Sequence, residues 1–119
     1  MNVTLSRTYR FESSHRLEHL PSDHPCHHLH GHGYTLEIQI AGKVHDATGF
    51  LMDYAEIDVA VLPLLKQLDH KHLNDLPGLR FSTTEYLCVW IWERLRPLLP
   101  SLSCVAVSET PTSRCEYRG

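Results

Sequence analysis

Hydrophobic and polar residues alternate along residues 3–11, with Val3, Leu5, Tyr9 and Phe11 on one parity and Thr4, Ser6, Thr8 and Arg10 on the other. A period of two sends successive side chains to opposite faces of a strand, so this stretch reads as a strand with one buried face. The pattern returns at 34–41, where Tyr34, Leu36, Ile38 and Ile40 oppose Thr35, Glu37, Gln39 and Ala41, before Gly42 loosens it. The period then lengthens. Asp53 followed by Glu56 has the form of a capping box, and Ile57, Val61, Leu64, Leu65 and Leu68 recur at helical spacing. Pro63 falls inside this run, where a lost backbone hydrogen bond costs about 3 kcal/mol, so a bend is expected there. Ser82 and Glu85 repeat the capping-box spacing ahead of Leu87, Trp90, Ile91 and Leu95, and Pro97 and Pro100 end that helix. Residues 102–109 and 114–118 are short Val- and Tyr-containing runs with Pro111 in the turn between them, as in a hairpin.

The expected order is therefore ββααββ: an α+β fold with a four-stranded antiparallel sheet, two helices between strands 2 and 3, and the helices on one face. The uncovered sheet edges of so short a chain predict a homo-oligomer whose sheets join across subunits. No Gly/Ser- or Pro-rich stretch divides residues 1–119, which read as a single domain.

Composition narrows the function by exclusion. A net charge of −3 argues against a general nucleic-acid binder, which needs cations to neutralise a run of phosphates. No segment approaches the roughly 18 apolar residues of a membrane span, and Met1 to Arg10 lacks the apolar run of a signal peptide, so a cytoplasmic protein is expected. Cys26, Cys88, Cys104 and Cys115 form no C-x-x-C pair and suggest no disulfide framework. The unusual feature is ten histidines, five of them between His24 and His32, more than packing would require in so short a stretch.

His30-Gly31-His32 leads directly into the second strand. Side chains two apart in an extended chain share a face, so both imidazoles can reach one ion at about 2.0–2.1 Å per Zn–N bond. Continuing the first strand's parity past Phe11 reaches Ser13 and His15, which brings a third imidazole to the same side. Three protein ligands with a fourth position open characterise a catalytic zinc. Cys26, four residues before His30, is either a further ligand that closes the site or a base whose thiol is acidified by the nearby cation. Asp69-His70 closes the first helix; adjacent residues on a regular helix do not face each other, so the two can work together only where the helix unwinds. By itself the pair also reads as a polar helix end. Glu109 ends the third strand on the parity of Val105 and Val107, where a carboxylate needs paired N–H donors such as a guanidine-like edge offers, unless it is a solvated strand end.

In order along the chain, Phe11-Glu12-Ser13-Ser14-His15-Arg16-Leu17, Cys26 with three residues before His30-Gly31-His32, Thr48-Gly49, Met52-Asp53-Tyr54, Leu68-Asp69-His70, Leu73-Asn74, Ser82-Thr83-Thr84-Glu85, Trp90-Ile91-Trp92, Glu109-Thr110 and Tyr117-Arg118-Gly119 resemble the 6-pyruvoyltetrahydropterin synthase and 6-carboxytetrahydropterin synthase family. The resemblance covers essentially the whole chain. It implies the tunnelling fold (T-fold), with trimers closing a β-barrel, two trimers forming a homohexamer, and sites at subunit interfaces. It implies Zn2+ on His15, His30 and His32, proton transfer by Cys26, Asp69 and His70, and a pterin anchored by Glu109, with Thr83, Thr84 and Glu85 assisting from an adjoining subunit. The spacing Cys-x-x-x-His-x-His is similar to that of the bacterial 6-carboxytetrahydropterin synthases of queuosine biosynthesis. That branch implies a carbon–carbon lyase acting on 7,8-dihydroneopterin triphosphate. The alternatives are a pyruvoyl enzyme that stops after triphosphate elimination and a non-catalytic zinc-binding oligomer. His27 and His28 have no counterpart in the family pattern, and Pro111 and Arg114 depart from it in the final hairpin. Lys71, His72, His27 and Arg114 are the cations available to a triphosphate.

Overall fold

A computed structural model describes all 119 residues. The chain runs β1 (Asn2–His15), β2 (His30–Lys43), α1 (Tyr54–Leu68), β3 (Lys71–His72), α2 (Thr84–Leu95), β4 (Leu102–Ser108) and β5 (Cys115–Tyr117), with 3-10 turns at Pro25–His27 and Leu73–Asp75. One sheet holds every strand in the order β3-β1-β2-β4-β5. The α+β arrangement with both helices between the second long strand and the final hairpin matches the sequence-based expectation.

The sheet has five strands, not four, and is mixed. β3 pairs parallel to β1, Ser13 opposite Lys71 and Ser14 opposite His72. A two-residue polar strand has no alternation to read, and it forms because the end of α1 is fastened to β1. The Ser13 hydroxyl donates to the Leu68 carbonyl, the Glu12 amide donates to Asp69 Oδ1 at 2.9 Å, and the His70 amide donates to the Glu12 carbonyl at 2.6 Å.

Both long strands outrun their apolar pattern. β1 and β2 pair antiparallel from Asn2 opposite Lys43 to His15 opposite His30, so the polar ends of the two strands stay in the ladder. Phe11 stacks on Tyr34 across this pair, with ring centroids 4.8 Å apart. The buried parity of the sheet, including Tyr9, Phe11, Leu36, Ile38, Val105 and Val107, packs against Ile57, Val61, Leu64 and Leu68 of α1 and Leu87, Ile91 and Leu95 of α2. The other parity of β1 is exposed. Arg7 adds a clasp on the helix side, pairing with Asp58 of α1 at 2.9 Å while Tyr9 donates to the same carboxylate at 2.5 Å.

Asp53 caps α1 as expected, accepting from the Ala55 amide at 2.9 Å. For α2 the expected cap shifts by one residue: Thr83, not Ser82, accepts from the Tyr86 amide, at 3.4 Å. Ser82 is buried and turned instead toward the end of β1, where its hydroxyl lies 3.3 Å from both the Arg16 carbonyl and Asn74 Oδ1. A residue that reads as a cap has been taken by a different task.

α1 runs as one helix through exposed Pro63, with Leu64 and Leu68 still buried beyond it. Replacing Pro63 with Ala restores the missing amide at an open position. The interior proline penalty of about 3 kcal/mol, less roughly 1 kcal/mol of unfolded-chain entropy, leaves a gain of about 2 kcal/mol. Urea denaturation is expected to show the midpoint rising; an unchanged or lower midpoint would mean that the proline ring contributes packing in the folded state.

Candidate metal centre

His15, His30 and His32 meet where the β1–β2 ladder ends. His15 stands opposite His30 and Ser13 opposite His32, so alternation puts all three imidazoles on the helix-covered face. Ring centroids are 4.5 Å apart for His15–His30, 5.0 Å for His15–His32 and 4.8 Å for His30–His32. Their ligand nitrogens lie within 4.8 Å of one another. Modest ring rotation brings them to the ~3.3 Å separation implied by ~2.0 Å bonds around a tetrahedral ion.

Hydrogen bonds fix which nitrogen is free. A carbonyl oxygen can only accept, so His15 Nδ1 donates to the Ser82 carbonyl at 2.7 Å, and His30 Nδ1 donates to the His28 carbonyl at 2.6 Å. Nε2 of each neutral ring then carries the lone pair. His15 Nε2 is buried and has no hydrogen-bond partner. Leaving such a group unsatisfied costs about 1–3 kcal/mol, which a bound cation removes. Burial pushes the His15 imidazole below its ordinary value, against the opposing pull of the Ser82 carbonyl, and so favours the neutral, ligating form. The residues present fit a divalent metal.

Glu109 lies one residue past the end of β4. The β2–β4 register, Thr35 opposite Ser108 and Leu36 opposite Val107, continues to place it across from Tyr34 on the triad's face. Glu109 Oε2 is 3.8 Å from His32 Nε2. Tyr34 is fully buried, meets the His15 and His32 rings edge-on, and has a hydroxyl with no partner. Burial, and secondarily the charge of Glu109, raises the Tyr34 phenol above its ordinary value and keeps it protonated.

Thr84, Glu85 and Glu109 line one cleft of about 540 Å³ together with Ser113, Arg114 and Cys115. Thr83 does not line it, and its hydroxyl caps α2. Arg114 is held by Glu37 at 2.5 Å and Glu116 at 2.8 Å, so both of its charge partners are already supplied.

Cys26 sits in the 3-10 turn before β2, with its carbonyl accepting from the Leu17 amide at 2.8 Å. The turn is thereby pinned two residues beyond His15. The neighbouring histidines are partly committed: His24 Nδ1 accepts from the Cys26 amide at 3.1 Å, and His27 Nδ1 donates to the Leu20 carbonyl at 2.9 Å.

Asp69 and His70 do face each other, because α1 stops at Leu68. Asp69 is the C-cap and His70 turns to φ 56°, the left-handed region that closes many helices. His70 Nδ1 then lies 3.0 Å from Asp69 Oδ2. The Glu12 amide, and after it the His70 ring, hold the Asp69 carboxyl below its ordinary value. His70 is 77% exposed and borders a groove of about 580 Å³ with Glu12, Ser13, Ser14, His32 and Lys71. His72 lines the same groove and bonds the Ser14 hydroxyl through Nδ1 at 3.0 Å. Ser14 and Glu12 have the parity opposite to His15. The groove's lining mixes both parities, because Ser13 and His32 of the triad's parity border it as well.

Sequence reasoning missed Ser82, whose contribution is a main-chain carbonyl, and Tyr34, which reads only as a core aromatic. Asn74 was visible only as part of a matching motif.

An α+β sheet with two helices on one face and a histidine triad at the ladder's end is a scaffold able to hold a divalent metal. Residues 4–119 match the family model described as 6-pyruvoyl tetrahydropterin synthase, and the chain belongs to that family. It is 37% identical to the 6-pyruvoyl tetrahydrobiopterin synthase of Dictyostelium discoideum over 130 residues, covering 98% of this chain and 96% of that one. It is 34% identical to the 6-carboxy-5,6,7,8-tetrahydropterin synthase of Synechocystis over 117 residues, covering 93% and 89%. The solved 6-pyruvoyl tetrahydropterin synthase of Caenorhabditis elegans superposes with a TM-score of 0.92 at 27% identity, covering 100% of this chain and 96% of that one.

Metal binding by the triad is expected to raise the melting temperature in titrations with zinc. At a free concentration of one hundred times Kd the stabilisation is about 2.7 kcal/mol. His30→Ala and His32→Ala, each leaving two imidazoles, are expected to shrink the shift sharply; an undiminished shift in both would place the metal elsewhere.

Proposed function

We propose that this chain is a zinc-dependent carbon–carbon lyase. It converts 7,8-dihydroneopterin triphosphate and water to 6-carboxy-5,6,7,8-tetrahydropterin, acetaldehyde and triphosphate, a step toward queuosine and related 7-deazapurines. The observation that carries the proposal is the set of three converging imidazoles, with the main chain of Cys26 tied to Leu17 two residues past His15. His15, His30 and His32 hold Zn2+, which when bound supplies Lewis acidity toward the side-chain hydroxyls of the substrate. Cys26 takes the proton from the acidified side chain. Glu109 accepts two hydrogen bonds from the amino-pyrimidine edge of the pterin, and its place beside His32 sets the ring against the metal. Thr84 and Glu85 contact the pterin from the cleft they share with Glu109, while Thr83 holds the start of α2.

Asp69 and His70 form the other half of the proton path. They are exposed and lie outside the cluster of His15, His30 and His32, and we assign them to the triad of a neighbouring copy. The edge of β1 supports such an assembly: β3 covers only Ser13 and Ser14, leaving Asn2 to Phe11 without a strand partner on that side. A homohexamer built as a dimer of trimers joins these edges and completes each site. Lys71 and His72 border the groove of His70 and are the cations placed to meet the triphosphate there, whereas Arg114 is occupied by its carboxylates. Free thiols at all four cysteines suit the reducing cytoplasm.

The choice of the carboxy product over the pyruvoyl product rests on the loop. Only three residues separate Cys26 from His30, the spacing of the bacterial carboxy enzymes. The alignment with the Dictyostelium relative spans 130 positions, longer than this chain, so that pyruvoyl enzyme carries insertions absent here; the Synechocystis alignment stays at 117.

Incubation with dihydroneopterin triphosphate, followed by mass analysis of the pterin and an aldehyde assay, is expected to give 6-carboxytetrahydropterin and acetaldehyde. A 6-pyruvoyl product without aldehyde would move the chain to the pyruvoyl branch. Cys26→Ala is expected to lose at least a hundredfold in kcat with one zinc per chain retained; loss of zinc with activity would make Cys26 a ligand.

The composite site has its own test. Cys26→Ala and His70→Ala are each expected to be inactive as pure oligomers. Unfolding and refolding the two together should restore a fraction of wild-type activity, since some sites then receive an intact thiol from one copy and an intact pair from another. No recovery in verified mixed oligomers would put both groups in a single chain's site.

A further inference from the structure

Beyond the residues that touch metal or substrate, the end of β1 is held by a closed ring of contacts. His15 is the last residue paired in the β1–β2 ladder, and β3 has already ended opposite Ser14. Arg16 therefore has no strand on either side. The side chain of Asn74, in the 3-10 turn Leu73–Asp75, takes the place of one. Its Oδ1 accepts from the Arg16 amide at 2.9 Å, and its Nδ2 donates to the Arg16 carbonyl at 2.9 Å. Asn74 Oδ1 is also 3.3 Å from the hydroxyl of Ser82, which has one proton to share between that oxygen and the Arg16 carbonyl. The carbonyl of the same Ser82 accepts from His15 Nδ1 at 2.7 Å. Ring and main chain of His15 are thus tied to one amide group. The turn that carries Asn74 is itself anchored, since Leu73 is fully buried in the core.

We propose that Asn74 is the positioning residue for the metal ligand His15: it fixes the main chain that follows His15 and the serine whose carbonyl selects the ring's tautomer. This rests on the metal-centre assignment above. The residue type matters. Meeting one N–H and one C=O of the same residue needs a donor and an acceptor side by side, which a short primary amide supplies. Aspartate keeps the bond from the Arg16 amide but sets a second oxygen against the Arg16 carbonyl. Alanine supplies neither contact. Partners that orient a metal-bound histidine are typically worth about 10–100-fold in metal affinity.

The test is a double-mutant cycle read in zinc affinity, measured by competition with a chromophoric chelator, with melting temperatures of the metal-free proteins recorded alongside. Asn74→Ala is expected to weaken zinc binding about 10–100-fold, and Asn74→Asp to weaken it as well. In a His15→Ala background, where two imidazoles remain, Asn74→Ala should cost no further affinity, because its effect runs through the missing ring. A purely structural asparagine would lower the metal-free melting temperature and leave zinc affinity unchanged, or weaken it equally in both backgrounds; either result overturns the proposal. Should Asn74→Ala fail to fold, the same cycle run with Asn74→Asp decides by the same criterion. Wild-type protein that takes up no zinc would overturn the metal centre itself, a result distinct from normal wild-type uptake with no effect at Asn74.

Discussion

Antiparallel register between β1 and β2 is the constraint on which the rest of the molecule depends. Fourteen residues of each strand pair without interruption, from Asn2 opposite Lys43 to His15 opposite His30. Side chains alternate with a period of two, so a slip of one residue would turn the buried face of either strand to solvent. The register is held in the middle by apolar residues such as Phe11, Tyr34, Leu36 and Ile38, which must face the helices. It is spent at the end, where the same parity delivers His15, His30 and His32 to a common point. The metal centre is an extension of the core pattern by polar residues, and it inherits the precision of the core.

That inheritance explains how imidazoles can be kept near one another in a chain whose interior is otherwise apolar. Each neutral ring needs one partner for its N–H and one for its lone pair. His15 and His30 give their Nδ1 protons to main-chain carbonyls, of Ser82 and His28. Carbonyls accept and cannot donate, so the rings are locked with Nε2 bare. The orphaned His15 Nε2 and the orphaned Tyr34 hydroxyl lie in the same region, which concentrates unsatisfied polarity in one place. Buried polar groups elsewhere in folded proteins nearly always find partners. Two exceptions gathered around a histidine triad mark the position of a ligand more sharply than either would alone.

The long strands, both helices, the final hairpin and the triad were all legible in the sequence, because each is written as a period or a spacing. Residues that work through the main chain left no such trace. Ser82 has the spacing of a helix cap, and only the folded chain shows its carbonyl under the His15 ring and the cap passed to Thr83. β3 was invisible for a similar reason: two residues cannot show alternation, and its pairing arises from how α1 ends against Glu12 and Ser13. The Asp69–His70 contact was readable only as a condition, that the helix unwind there. The left-handed turn at His70 meets the condition, and the bonds to Glu12 hold it in place.

The same fastening decides how the site can be completed. Tying the end of α1 to β1 through Glu12 leaves His70 exposed beside β1, in a groove that His32 also borders, while parity sets the triad's side chains beneath the helices. In the proposed assembly the pair of one copy works with the triad of another, which needs the two sheets set against each other. The unfinished edge of β1 offers the means, since strand-to-strand pairing between copies satisfies its free amides and carbonyls and presents the outer face of one chain to its neighbour. An edge that would be a hazard in a monomer becomes the element that assembles the proposed chemistry. In that proposed assembly, association and catalysis draw on one structural feature, the unpaired edge of β1.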